Sequence, residues 1–232
     1  MSVEAVDKGA FCKTWARRWQ DARPQLKAKE PHSAVRSGVA DAEALSLRVQ
    51  LNNVRTLDFG CGHGRSALGL LLHGVNNYLG IDARLLAIEF ARRLFAEQPG
   101  YQFEYFDSAN GRYNKGGGPK LFLPVTARSF ELALAVSVFS HEPDDEVVAH
   151  YLSELWRVLT PNGVLACTWI TSAPMDHADN RFSIRTHEGI FALLNAWAVS
   201  DCWGAGEAGD QWWTLAHKSN KSPTVAGSHN HA

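Results

Sequence analysis

From residue 54 onward the apolar positions follow two rhythms: short continuous runs, and longer stretches with apolar residues three and four apart. The runs at 54–59, 77–82 (NYLGID), 101–106 (YQFEYF), 131–138 (ELALAVSV) and 164–170 predict strands, and 131–138 is apolar enough to be buried on both faces. Between them the spacing predicts helices from about 64 to Gly74, over 83–97 ahead of Pro99-Gly100, and over 144–159. In the last of these, Val147, Tyr151, Leu155 and Leu159 form one row, with Val148, Leu152 and Trp156 beside it. Pro161-Asn162-Gly163 reads as a turn into the strand at 164–170. A helix near 187–197 and strands at about 198–203 and 211–217 complete the pattern. The short loop between those last two strands makes them an antiparallel hairpin.

Alternating strands and helices predict an α/β fold, with a mostly parallel sheet, helices on both faces and one reversed strand from the C-terminal hairpin. The chain before residue 54 is surplus to that sheet. Residues 1–9 read as loose, and 10–22 as an amphipathic helix in which Phe11, Trp15 and Trp19 fall at i, i+4 and i+8, opposite Lys13, Arg17 and Gln20. That stripe either packs on the main domain or lids a ligand; the two are compatible. A charged, Pro-containing stretch over 23–38 leads to a second helix near 39–50. The expected organisation is an N-terminal helical cap (1–53), a main domain (54–218) and a tail, SNKSPTVAGSHNHA, of disordered composition (219–232). His229 and His231 in that tail read as solvated residues, and no metal is expected.

Composition narrows the classes without choosing one. The 232 residues are 45% hydrophobic and 20% charged, which suits one globular α/β domain with an extension. A formal net charge of -1 gives no electrostatic case for nucleic acid or an anionic membrane. No apolar run reaches the length of a membrane span, and the first residues lack a signal-peptide profile. Cys12, Cys61, Cys167 and Cys202 are scattered, with no CxxC pair, and read as reduced thiols of a cytoplasmic protein.

The chemistry concentrates in TLDFGCGHGR, residues 56–65, where a predicted strand runs into Gly60, Gly62 and Gly64 just after Asp58. Glycines at every second position suit a backbone that a ligand approaches closely, and the first strand-to-helix loop of a parallel sheet is where ligands bind. A dinucleotide would want G-x-G-x-x-G. Here the third glycine comes one residue early, Arg65 takes the expected place, and Asp58 would add negative charge beside a pyrophosphate. Beside an ammonium group the same carboxylate is favourable.

Asp58 to Gly64 (DFGCGHG) resembles the first motif of class I S-adenosylmethionine-dependent methyltransferases. Gly80-Ile81-Asp82 ends the second strand with an acid 18 residues after Gly64, and Tyr105 to Ser108 (YFDS) ends the third with Asp107. Residues 129–141 and 151–166 resemble the family's fourth strand, following helix and fifth strand. The similarity spans about 54–217 and implies a Rossmann-like, seven-stranded sheet that binds S-adenosyl-L-methionine. It implies cofactor contacts at Asp58, Gly60, Cys61, Gly62, Gly64, Asp82, Ala83, Asp107, Ser108 and Ser137. Of these, Asp82 would grip both ribose hydroxyls and Asp107 would lie at the adenine. GRYNKGGG, SVFSHE and CWGAGEAGDQWWTL are similar to methyltransferases of small-molecule and glycoconjugate pathways, although Ser140 and Glu142 depart from the usual residues on the acceptor side.

The acceptor is expected to be a small molecule, methylated on oxygen first, then nitrogen or carbon. A hydroxyl acceptor needs its proton removed, and His141, just past the fourth strand, is the candidate base; its alternative role is to cap the helix that begins at Pro143-Asp144. His63 is expected to shape the glycine loop. The long stretch from Ser108 to Pro124 reads as a binding loop in which Tyr113, Asn114 and Lys115 face the acceptor, or else as an exposed connection. Trp15, Trp19 and Phe139 are further candidates for the acceptor pocket, with the N-terminal cap closing it. The chain is expected to act as a monomer or homodimer. A cofactor-binding regulator without catalysis, or an NAD-dependent oxidoreductase, remain as alternatives.

Overall fold

In a computed structural model the described residues are 7–22, 31–108, 122–171, 182–205 and 211–219. The chain divides into two compact units, Met1–Tyr105 and Phe106–Ala232.

The first unit runs α1 (Lys8–Asp21), α2 (Pro31–Ser46), β1 (Arg55–Phe59), α3 (Arg65–Leu72), β2 (Asn77–Asp82), α4 (Leu85–Leu94) and β3 (Tyr101–Tyr105). Its strands are parallel, with Asp58 opposite Gly80 in the β1–β2 pair and Gly80 opposite Phe103 in the β2–β3 pair. The side chain of Asp7 accepts from the N–H groups of Gly9 and Ala10, so α1 starts two residues before the sequence expectation and takes in part of the stretch read as loose. Helix α2 differs more. It begins at Pro31, well inside the stretch read as a connection, because proline at the first helical position lacks only an N–H that has no helical partner anyway. Helices α2 and α3 cross at van der Waals contact: a Cβ on Gly69 would lie 2.0 Å from the Gly38 carbonyl oxygen, and one on Gly38 2.1 Å from that of Arg65.

The second unit runs β4 (Phe130–Ala135), a single 3-10 turn (Phe139–His141), α5 (Asp145–Val158), β5 (Leu159–Ile170), α6 (His187–Leu193), β6 (Trp197–Ala205) and β7 (Gln211–Lys218). β4 and β5 are parallel, whereas β7 is antiparallel to both β5 and β6. Pro161-Asn162-Gly163 does not end one element and begin another. The register jumps from Phe130 opposite Leu159 to Leu132 opposite Val164, so the tripeptide bulges out of a strand that already starts at Leu159. The strands lie in the order β3-β2-β1 in the first unit and β4-β5-β7-β6 in the second, seven among the described residues, mostly parallel with one reversed as the pattern predicts.

Candidate functional site

Each unit carries one group of the residues singled out in the sequence. In the first unit, β1 delivers Asp58 to the start of the glycine loop, and the loop folds back on the end of β2. The N–H groups of Gly60 and Cys61 both donate to the Ile81 carbonyl, at 2.8 and 3.1 Å. The Gly62 N–H donates to Oδ2 of Asp82 at 2.8 Å, and the Arg84 N–H donates to Oδ1 at 2.7 Å. Asp82 is thus fixed by one backbone donor on each oxygen, and each oxygen keeps a lone pair for a further donor. Burial raises its carboxyl above the usual range, while the bonds from Arg84 and Gly62 pull it back down.

The three glycines do different work. Gly62 has a left-handed φ of +55°, and a Cβ built on it would meet nothing within 4 Å, so the backbone there faces open space. Gly64, with φ +84°, faces inward: its Cβ would lie 2.8 Å from the Phe95 ring. The third glycine therefore lets the loop pack on α4, a role that the sequence reading did not separate from ligand contact. Gly60 has φ +77° and closes the turn after β1. Cys61 is buried, and its Sγ fills the room that the missing side chain of Gly80 leaves. Burial pushes the Cys61 thiol well up, with the nearby Asp58 and Asp82 carboxyls adding to the effect. Arg65, which stands where a dinucleotide loop would have glycine, turns away to α2, 3.7 Å from Asp41.

Asp58 is 1% exposed. Its Oδ2 accepts from the Tyr78 hydroxyl at 2.6 Å, while Oδ1 finds no hydrogen-bond partner among the described residues. An orphaned carboxylate oxygen at this depth is costly unless something donates to it or it holds a proton. Burial pushes the carboxyl up to about 7, against the downward pull of the Tyr78 hydrogen bond.

The aromatic stripe of α1 buries on the same unit. Trp15 packs between Phe11 and Phe95, with ring centroids at 5.9 and 5.2 Å. Trp19 meets Phe90 edge-on at 4.9 Å and lies 6.2 Å from the ring of His63 in the glycine loop. His63 is itself edge-on to Phe90 at 5.2 Å. At 6% and 3% exposure, Trp15 and Trp19 have their apolar character accounted for by α4 and the loop, without an acceptor. Ala83 follows Asp82, half-buried.

In the second unit, Asp107 is half-buried and Ser108 buried, its hydroxyl hydrogen-bonded to that of Tyr151 on α5. Ser137 has a left-handed φ of +58°, unusual without glycine. Its N–H donates to the Thr168 hydroxyl at 2.7 Å and its own hydroxyl accepts from Gln211 at 2.6 Å, so β5 and β7 hold the chain where it leaves β4. Phe139 is buried and stacked on Trp169 at 5.0 Å, a core position. His141 ends the 3-10 turn, half-buried, with its ring 5.1 Å from that of Phe182. It does not cap α5: Asp144 does, accepting from the N–H groups of Glu146 and Val147. Tyr113, Asn114 and Lys115 lie outside the described residues.

Arg185 is the residue that sequence reading missed here. It is 8% exposed, donates to the carbonyls of Phe139 and Glu142 at 2.7 Å each, and pairs with Asp145 at 2.7 Å. One guanidinium thus fixes both ends of the turn that carries His141, as its planar set of donors allows. Nothing in the pattern marked it, because it sits alone between elements.

Comparison with known proteins narrows the reading. Residues 57–165 match the sequence model described as a methyltransferase domain, which takes in the glycine loop, Asp82, Asp107 and His141. That segment is a methyltransferase domain. Solved structures similar to this methyltransferase include magnesium protoporphyrin IX methyltransferase from Synechocystis PCC 6803 with bound S-adenosylhomocysteine, at 15% identity and a TM-score of 0.61, covering 91% of this chain and 97% of that one. Phosphoethanolamine N-methyltransferase 1 of Haemonchus contortus has 18% identity and a TM-score of 0.65, covering 97% of this chain and 52% of that one. The [4+2]-cyclase SpnF also has the fold, at 18% identity, a TM-score of 0.62 and 84% coverage of both chains. No curated protein sequence matches the chain. Among the described residues no helix is long and apolar enough to cross a membrane, and no cluster of three or more His, Cys, Asp or Glu is placed to hold a metal.

The residues present fit S-adenosylmethionine, the cofactor that the sequence resemblance implies, on two counts: the open face of Gly62, and Oδ1 of Asp58, which has no partner among the described residues.

Proposed function

We propose that this methyltransferase acts on a small-molecule acceptor, on oxygen in the first instance, with nitrogen or carbon as the other options. The carrying observation is the glycine loop itself, tied by Gly62 to a carboxylate that has lone pairs to spare and open where Gly62 lacks a side chain. Asp82 accepts from the two ribose hydroxyls, with Ala83 beside it. Gly60, Cys61 and Gly62 present backbone to the methionyl portion, and Asp58 balances its cationic end. Gly64 acts at one remove, by seating the loop on Phe95. Asp107 and Ser108 serve the adenine end, and Ser137 completes the cofactor contacts.

The bound cofactor supplies a methyl group on a sulfonium, and with it the leaving group. What the chain must add is alignment, exclusion of water and, for a hydroxyl acceptor, removal of a proton. His141 takes that proton at an imidazole nitrogen, while Arg185 fixes the turn that carries it. Tyr113 and Asn114 are the proposed acceptor contacts, while Trp15 and Trp19 support the glycine loop and Phe139 the turn that carries His141, each through the packing described above. The protein works in the cytoplasm as a monomer or homodimer, without nucleic acid or membrane insertion.

The test is a labelled-methyl assay on an extract of the cells that make the protein, with mass spectrometry of the product. Label transferred to a small molecule, and lost in His141→Ala, supports the reading. Tight cofactor binding with no transfer would leave a cofactor-binding regulator instead. Binding of NAD in preference to S-adenosylmethionine would make the chain an oxidoreductase.

A further inference from the structure

The Tyr78 hydroxyl and Asp58 form a buried pair behind the glycine loop. Tyr78 is 1% exposed, and its ring is stacked on Tyr101 at 5.0 Å and packed on Phe103. The ring is therefore held by aromatic neighbours whether or not the hydroxyl is present. Among the described residues the hydroxyl has one partner, Oδ2 of Asp58, at 2.6 Å. The other carboxylate oxygen is buried and has no partner among the described residues. Around the carboxyl stand Tyr78 and Asp82 from β2, Cys61 in the loop and Arg65 at the start of α3. Asp82 opposes a charge on Asp58 and Arg65 favours one.

This arrangement leaves Asp58 poorly provided for as an anion. It has one hydroxyl donor, an acid nearby and almost no water. A ligand bringing a cationic end to Oδ1 supplies what the protein withholds. We propose that Tyr78 is a positioning residue whose hydroxyl favours the charged form of Asp58, and that cofactor affinity consequently rises with pH across neutrality. The proposal rests on the cofactor reading above and adds to it a residue and a pH response. Burial, the largest influence, pushes the Asp58 carboxyl up to about 7, and the tyrosine hydroxyl, with a smaller pull from Arg65, keeps it from going higher. At acid pH most molecules carry a proton on Asp58, and only the ionised fraction binds well.

The experiment is titration calorimetry with S-adenosylmethionine from pH 6 to 9 on the wild type, Tyr78→Phe and Asp58→Asn. The asparagine variant keeps the ligand's own titration and removes that of the carboxyl. Relative to it, wild-type affinity should rise about tenfold between pH 6 and 8 and then level off. Tyr78→Phe keeps the stacked ring, so its plateau should be similar, with the midpoint displaced upward by roughly one pH unit or more. Infrared titration of the cofactor-free protein gives a second readout. The protonated-carboxyl band should disappear near pH 7 in the wild type, at higher pH in Tyr78→Phe, and be missing in Asp58→Asn. Good binding with no pH dependence relative to Asp58→Asn, or a Tyr78→Phe curve parallel to wild type at every pH, would overturn the proposal alone. No binding at any pH, with the infrared titration intact, would reject the cofactor reading and the proposal together.

Discussion

The backbone N–H of Gly62 donates to Oδ2 of Asp82 at 2.8 Å, which locks the tip of the glycine loop onto the end of β2. One carboxylate thereby shapes the loop and offers itself to a ligand. Asp82→Ala should remove both functions and weaken cofactor binding by about 2 kcal/mol or more, as two charge-assisted hydrogen bonds disappear and the loop loses its tether. Calorimetry reads the loss, and unchanged affinity would take Asp82 out of the site.

Gly62 and Gly64 should separate in mutants although they are two residues apart. A Cβ at Gly62 meets nothing within 4 Å, so Gly62→Val should fold with the strain of a left-handed φ, about 1–2 kcal/mol, and fail to bind cofactor. Gly64→Val drives a side chain into Phe95 and should lower the melting temperature as well. Equal thermal losses in the two variants would contradict this division of labour.

Trp19 lies 3% exposed between Phe90 and the glycine-loop residue His63. Trp19→Ala should cost about 3–5 kcal/mol in denaturant unfolding. It should also weaken cofactor binding, because α1 and the loop share these contacts. A variant of full stability would show that α1 is not part of the folded unit.

The apo protein should show a pH signature of Asp58. Its carboxyl sits at about 7 in the folded chain against 3.8 ordinarily, so the folded state holds a proton that the unfolded state releases between those values. Stability from this group is therefore present at low pH and falls as pH rises from about 4 to 7, by at most ~4 kcal/mol. Asp58→Asn should flatten that slope and be the more stable chain at pH 8. Thermal melts across pH check it, and a wild-type slope of opposite sign in that window would exclude it.

Arg185 holds the carbonyls of Phe139 and Glu142 together. Arg185→Ala should leave the buried Phe139 carbonyl short of a donor, at about 1–3 kcal/mol, with a smaller loss at the half-buried Glu142 carbonyl. Cofactor affinity should change little, and methyl transfer should drop with the displaced turn. Arg185→Lys should restore only part of it, since one ammonium cannot reproduce the planar fork. Full transfer in Arg185→Ala would remove the link between this turn and catalysis.

Where burial and period agree, the sequence was legible. The strand predicted at 77–82 is β2 residue for residue, and the helix predicted at 144–159 is α5 to within a residue at each end. Misreadings occurred where one residue type has two uses. Pro31 opens a helix rather than preventing one, and Pro161-Asn162-Gly163 bulges a strand rather than ending it. Gly64 has the spacing of a ligand glycine, and its packing role, which the spacing does not show, depends on Phe95 thirty-one positions away. Tyr78 in a strand reads as ordinary core until the parallel register sets its hydroxyl against Asp58. Long-range partners of this kind leave no local period to read.

The most direct measurement is calorimetry of wild type and Gly62→Val with S-adenosylmethionine and, separately, NAD. Saturable one-to-one binding of S-adenosylmethionine by the wild type is expected, with none by a folded Gly62→Val and none of NAD by either. Binding of S-adenosylmethionine that survives Gly62→Val, or a preference for NAD, would contradict the placement of the cofactor on this loop.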